Sequence, residues 1–182
     1  FVKMMYAVMA EQFLDNLAFE TLKGMKENAY NGKLNGGQLP YGFKRVKRLN
    51  EYVLPIVNKK GIPQHEMAIH TEQAEGVKIM FDMILEGKKR FEIINRLNEL
   101  GYKRADGKDF TGTSIDNILR NEKYTGTSIF HFGKQKKDYD PDVNVIRAEG
   151  KIPQIISKEK FEAVQRILKQ RVREPINAKT TY

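Results

Sequence analysis

Cysteine is absent from all 182 residues, and with it go disulfide frameworks, cysteine-based zinc sites and thiol nucleophiles. No apolar run approaches the roughly 20 residues that a membrane-spanning helix needs, and the first segment has neither the charged start nor the small-residue cleavage site of a signal peptide. A Walker phosphate loop, a nucleophile elbow and any other paired nucleophile and base are missing too. These absences set the expectation of a cytoplasmic protein with no membrane partner, no cofactor, no metal site and no catalytic residue within this chain.

Positive charge is what the chain has in excess. The formal charge is +9, with 32 lysines and arginines against 23 acidic residues. A basic protein attracts polyanions, and release of counterions from phosphates supplies most non-specific affinity for nucleic acid. The excess is uneven: residues 32–60 sum to +6 and 103–137 to +4, whereas 1–31 and 61–102 are slightly acidic. The hydrophobic fraction of 40% suits a globular core.

Hydrophobic spacing predicts a mainly α protein with short β hairpins, an α+β chain in which a long N-terminal helix precedes a helix-turn-helix-like domain, and the basic charge makes DNA binding the expectation for that domain. Met5, Val8, Met9, Phe13, Leu17, Leu22 and Met25 recur at helical spacing over residues 1–31, a helix roughly 45 Å long. It starts without a cap, as a helix already under way would. Asn31-Gly32 and Asn35-Gly36-Gly37 end it. Phe43 to Ile69 reads as short strands, with Pro55 interrupting Tyr52–Val57 as in an edge strand or irregular hairpin. Val77, Met80, Phe81, Ile84 and Leu85 mark a helix over Thr71–Leu85. A second runs from Lys89 to Leu100, burying Phe91, Ile94 and Leu97 and stopping at Gly101. Thr113-Ser-Ile-Asp116 reads as a capping box opening a short helix with Ile115, Ile118 and Leu119 inside. Residues 127–132 and 143–148 read as paired strands. Ser157 caps a last helix carrying Phe161, Val164, Ile167 and Leu168, and a linker begins at Arg171. The expected division is 1–31 for the long helix, 32–42 for a glycine-rich connector, 43–170 for the DNA-binding domain and 171–182 for the linker.

Lys89 to Asn121 has the form of a helix-turn-helix, whose second helix can enter a major groove while nearby basic groups hold phosphates. Its loop carries Lys103, Arg104 and Lys108. The helix and its flanks present Thr111, Thr113, Ser114, Asn117, Arg120 and Asn121, side chains able to bond base edges or phosphates. The same pattern fits a three-helix core with a solvated polar face. Lys33, Lys44, Arg45, Lys47 and Arg48 form the densest basic cluster, around Gly36 and Gly37, slim enough to lie in a narrow groove. A solvated charge run would look alike. For Lys134, Lys136 and Lys137, solvation is the better account. His65-Glu66 and His70 miss the zincin pattern, because five residues turn the histidines about 140° apart on a helix. Asp138, Asp140, Asp142 and Glu149 echo a calcium loop, but Val143 takes the place of its turn glycine and Pro141 intrudes.

Taken in order, several segments resemble the recombinase domain of the large serine recombinases, the family of phage integrases and mobile-element recombinases. They are Gly36-Gly-Gln-Leu-Pro-Tyr-Gly-Phe43, Thr71-Glu-Gln-Ala-Glu-Gly-Val-Lys-Ile-Met-Phe81, Gly87 with Ile93–Gly101, and Gly107-Lys-Asp-Phe110. Ile115–Asn121, Tyr124-Thr-Gly126, Ile152–Ser157 and Phe161–Leu168 complete the set. Phe43 stands where the family commonly has tyrosine, Phe110 where it has tryptophan and Glu122 where it has proline; the first two roughly conserve volume. The resemblance implies that residues 1–31 are similar to the helix that leaves the catalytic domain, crosses the DNA backbone and helps form the dimer. It implies that the Gly36-Gly37 connector lies in or near the minor groove and that the helix-turn-helix unit reads the major groove of an attachment half-site in double-stranded DNA. It further implies a homo-oligomer in the full-length protein, and an upstream serine that attacks the DNA phosphate and keeps the bond energy in a phosphoserine link. That serine domain is expected to lie outside this chain, as is the zinc ribbon that usually follows. A free-standing helix-turn-helix regulator of nucleic acid is the alternative.

Overall fold

A computed structural model describes residues 2–58, 61–132 and 144–173. By contact the chain divides into two units: Phe1–Gly37 with Lys47–Glu66 and Thr127–Ile152, and Gln38–Val46 with Met67–Gly126 and Pro153–Tyr182. The grouping departs from sequence order, because residues 47–66 and 127–152 fall with the long helix.

In the first unit, α1 spans Val2–Tyr30, and of its described residues only Ala29 is buried. The helical spacing is borne out. The expected apolar stripe lies open, however: Phe13, Leu17 and Met9 are each more than half exposed. Among the described residues, the contacts of α1 gather at its C-terminal end. Asn35 donates from Nδ2 to the Met25 carbonyl at 2.8 Å and accepts from Asn28 Nδ2 at 3.0 Å, while Lys26 Nζ sits 3.8 Å from the centre of the Phe132 ring, a cation–π contact. Phe132 follows β3 (Ser128–His131), which pairs antiparallel with β4 (Val145–Ala148).

β1 (Phe43–Lys47) pairs with β2 (His65–Ile69). Among the described residues between them, the pairing is limited to isolated bridges, Leu49 to Pro55 and Val57 to Pro63, an irregular hairpin, the second of the two forms that Pro55 allows. Asn50 Oδ1 accepts from the backbone amides of Tyr52 and Leu54 at 3.0 and 2.9 Å, pinning a turn that forces Val53 to φ +62°. A β-branched residue pays roughly 1–2 kcal/mol there. Val53 is 71% exposed, so Val53→Asn is expected to raise stability by about 1 kcal/mol, read as a higher urea midpoint.

The second unit carries the larger core. α2 (Thr71–Leu85) buries Val77, Met80, Phe81 and Ile84 completely, one helical face at the expected spacing. Each fully buried side chain contributes roughly 1.5–3 kcal/mol. His70 Nδ1 caps α2, accepting from the Gln73 amide at 3.4 Å, which gives this histidine a structural role. α3 (Arg90–Glu99) packs through Ile93 and Leu97, whereas Phe91 is 60% exposed. That corrects the expected burial of Phe91. Apolar residues at 91, 93, 94 and 97 allow two helical faces, and the fold turns the second inward.

α4 (Gly112–Leu119) buries Ile115, Ile118 and Leu119. Its capping box is Thr111 with Ser114, with Thr111 N donating to Ser114 Oγ at 2.7 Å and Ser114 N to Thr111 Oγ1 at 3.3 Å. The expected Thr113–Asp116 box is not formed. Thr111 is the residue with extended backbone, at φ −115° and ψ 163°, and Asp116 pairs with Arg90 at 2.8 Å. A 3-10 turn follows at Glu122–Thr125. α5 (Lys158–Arg173) continues past Arg171, whose guanidinium donates to the Gly87 carbonyl at 3.0 Å, so the helix outlasts the expected linker boundary. Lys134, Lys136, Lys137 and the aspartates of the calcium-like loop lie outside the described residues. Among those residues, no helix is long and apolar enough to cross a membrane.

Candidate nucleic-acid interface

The helix-turn-helix part of the candidate site, with the turn packed beside it, belongs to the second unit. The segment Gln38-Leu-Pro-Tyr-Gly-Phe43 makes a tight turn in which the Phe43 amide donates to the Pro40 carbonyl at 3.2 Å. Its third position needs positive φ, and Gly42 supplies it at +94°. A Cβ on Gly42 would also lie 3.2 Å from both Val77 and Ile155 side chains, so both backbone conformation and space select glycine. The turn is fastened at three points. Gly42 N donates to Gln73 Oε1 at 3.0 Å, the Gly42 carbonyl accepts from His70 N at 2.9 Å, and the Tyr41 carbonyl accepts from the Tyr124 hydroxyl at 2.7 Å.

Tyr124 is the hub of this arrangement. It is fully buried, and its ring stacks on Phe43 with centroids 5.7 Å apart and meets Phe81 edge-on at 6.4 Å. Its carbonyl accepts from both Ile155 and Ile156 amides. Tyr41 meets Phe110 edge-on at 5.2 Å. Burial raises the Tyr41 phenol to about 12, helped by nearby Tyr102 and Glu72. Burial also raises Tyr124, with Tyr41 adding to the shift. The unfolded chain sheds these phenolic protons near pH 10, whereas the folded chain keeps them, so the unfolded state binds fewer protons above that pH. Stability is therefore expected to be flat below about pH 10 and to fall as pH rises through about 12. Urea melts across that range check it, and Tyr124→Phe should flatten part of the decline.

Between the 38–41 segment and α4 lies an open cavity of about 530 Å³. Its apolar wall is Leu39, Pro40, Tyr41, Phe110, Ile118 and Tyr124; its polar side is Gln38, Arg104, Asp106, Ser114, Asn117 and Asn121. Four residues singled out in the sequence, Arg104, Ser114, Asn117 and Asn121, thus meet around one concavity. Thr113, Asn117 and Arg120, spaced i, i+4, i+7, form an exposed stripe on α4. Thr111 caps the helix. Asn121 accepts from the Lys123 amide at 3.1 Å, and the half-buried Lys123 ammonium has its pKa lowered by burial.

The loop before α4 is less positive than its lysines and arginine suggest. Lys103 pairs with Asp109, Arg104 pairs with Asp106 at 2.9 Å, and only Lys108 has no acidic partner within the loop. On β1, Lys44 and Arg45 are exposed. In the first unit, Lys33, Gly36, Gly37 and Lys47 are exposed and Arg48 is half-buried; Gly36 and Gly37 take φ +87° and +79°. Sequence reasoning missed the cavity wall of Gln38–Tyr41 and Phe110. The available signal was the Pro-Tyr-Gly turn, whose partner Tyr124, in the 3-10 turn after α4, lies 83 positions away.

The family model described as Recombinase matches residues 71–171, from α2 into α5 and more than half of the chain. No curated protein matches the sequence. Among solved structures, the fold is similar to "Crystal Structure of a LSR-DNA Complex", with a TM-score of 0.55 and 18% identity over 92% of this chain and 42% of that chain. It is also similar to "Sequence Requirements of the Listeria innocua prophage attP site", with a TM-score of 0.56 and 19% identity over 90% of this chain and 57% of that chain. At such identities the shared property is the fold, and this chain spans about half the length of those chains.

Proposed function

Since the chain belongs to the Recombinase family, the recombinase domain of large serine recombinases, we propose that it recognises attachment-site DNA for strand exchange carried out by a longer parent protein. The observation that carries this reading is the exposed Thr113, Asn117 and Arg120 stripe on a rigidly capped helix. A major groove about 12 Å wide accepts a helix 10–12 Å across, and eight residues give α4 a length of about 12 Å, enough to face three or four base pairs. Arg120 and Asn117 are the side chains suited to guanine and adenine edges. Thr111, Ser114 and Asn121 flank them, and Lys103, Arg104 and Lys108 approach the strands beside them. One similar fold comes from an LSR–DNA complex, which adds weight.

In this reading the basic residues of the first hairpin act on phosphates. Lys44, Arg45, Lys47 and Arg48 hold the backbone, and Lys33 with the Gly36-Gly37 connector follows the minor groove. DNA binding here uses no cofactor or metal. The parent protein works in the cytoplasm as a homo-oligomer, with the exposed apolar stripe of α1 available for assembly, and its catalytic serine lies in another domain.

Lys44→Ala and Arg45→Ala are expected to weaken binding to cognate and random duplexes alike, each lowering the slope of log K against log salt by about 0.9 per lost phosphate contact. Fluorescence anisotropy over a salt series measures both quantities. Unchanged slopes in both variants would remove β1 from the interface. Binding to duplexes unrelated to any recombination half-site, with the same preference, would favour a free-standing regulator.

A further inference from the structure

The cavity beside α4 shares Asn117 with the major-groove stripe, but its shape and the rest of its lining, Arg104 and the 38–41 turn included, are not used by that stripe. At about 530 Å³ it falls in the roughly 300–1,000 Å³ range of sites for small organic groups. It is far too small for a duplex and suited to part of one strand. Leu39, Pro40 and Tyr41 give it apolar surface, backed by the buried rings of Phe110 and Tyr124, and Arg104 and Asn117 add donors to its lining. Apolar surface next to a guanidinium is complementary to deoxyribose next to phosphate. Position points the same way. With α4 in the major groove, the strand bordering that groove must pass beside the helix, where the 38–41 turn also lines the cavity.

Resting on the DNA-binding reading above, we infer that this cavity seats one sugar-phosphate unit of that strand, with the Arg104 guanidinium against the phosphate. Asp106 holds Arg104 at 2.9 Å, so the free protein presents a compensated pair. A lone anion gains little there, because it meets the Asp106 carboxylate as well. A strand already held by other basic residues arrives with its phosphate fixed, and Arg104 turns from Asp106 to it. The cavity thus serves as a register stop for one backbone position, alongside the helix that reads bases.

The test uses the whole chain and a bound duplex carrying a single neutral methylphosphonate, moved along each strand in turn. One position is expected to weaken wild-type binding about tenfold, as befits a charge-assisted hydrogen bond. Arg104→Gln should weaken the unmodified duplex to the same degree and become insensitive to that one position. Asp106→Asn, which leaves the arginine free, should tighten binding severalfold and keep the sensitive position; it carries the test should Arg104→Gln fail to fold, as checked by its urea midpoint. Equal losses for Arg104→Gln at every methylphosphonate, or a profile like the wild type, would overturn the inference while leaving DNA binding intact. Tight binding of a free deoxynucleoside monophosphate would also overturn it, in favour of a nucleotide pocket. If the wild type binds no duplex, the reading it rests on fails first.

Discussion

Tyr124→Ala is expected to cost about 3–5 kcal/mol of stability, the range for removing a large buried ring. Few residues in this chain do so many things at once. The ring fills space among Phe43 and Phe81, and the hydroxyl satisfies the Tyr41 carbonyl 83 positions earlier. Truncation opens a cavity and orphans that carbonyl. Domain stabilities are typically 5–15 kcal/mol, so the loss is a large share of the total, and the second unit should melt at a much lower urea concentration. Tyr124→Phe separates the two effects, keeping the ring and losing only the hydrogen bond, at roughly 1–3 kcal/mol for the carbonyl left unsatisfied. Equal midpoints for wild type and Tyr124→Ala would mean that the turn at Gly42 is held by other contacts. Because the turn forms one wall of the cavity, the alanine variant should also bind DNA more weakly at temperatures where it remains folded.

Asn117→Ala and Arg120→Ala are expected to act on discrimination. Each good bidentate pair to a base edge is worth about 1–3 kcal/mol against the wrong base, so each variant should lose roughly 5- to 150-fold in preference for the cognate half-site over single-base variants at its own position. Non-specific affinity should change little for Asn117→Ala. Arg120→Ala also loses a positive charge and should lower the salt slope slightly. Binding titrations over a panel of half-sites, each altered at one base pair, measure this directly. A uniform loss across the panel would reassign both residues to the phosphate backbone.

What the sequence made legible follows from how local each signal is. Helices α2 and α4 could be read because their buried residues, Val77 to Ile84 and Ile115 to Leu119, repeat at helical spacing. Gly101 could be read as a stop, since φ of +77° after α3 suits glycine. Phe91 was misread because hydrophobicity marks a helix as amphipathic without saying which of two overlapping faces meets the core. The cap of α4 was misread because Thr111 and Thr113 are chemically alike, and only backbone conformation distinguishes them. The candidate site was half legible: polar side chains on α4 could be listed from the sequence, whereas the cavity depends on a Tyr124–Tyr41 contact that no local pattern encodes. Charge was legible as a total and misleading in detail, since Asp106 and Asp109 neutralise two of the loop's three basic groups.

The most direct test of the central claim is a salt series of binding to a candidate attachment half-site and to random duplex of equal length. A preference of at least about a hundredfold for the half-site, surviving at moderate salt, is expected, because base contacts do not depend on counterion release. Equal affinities that fade together as salt rises would contradict it, leaving this chain a backbone clamp and placing sequence recognition elsewhere in the parent protein.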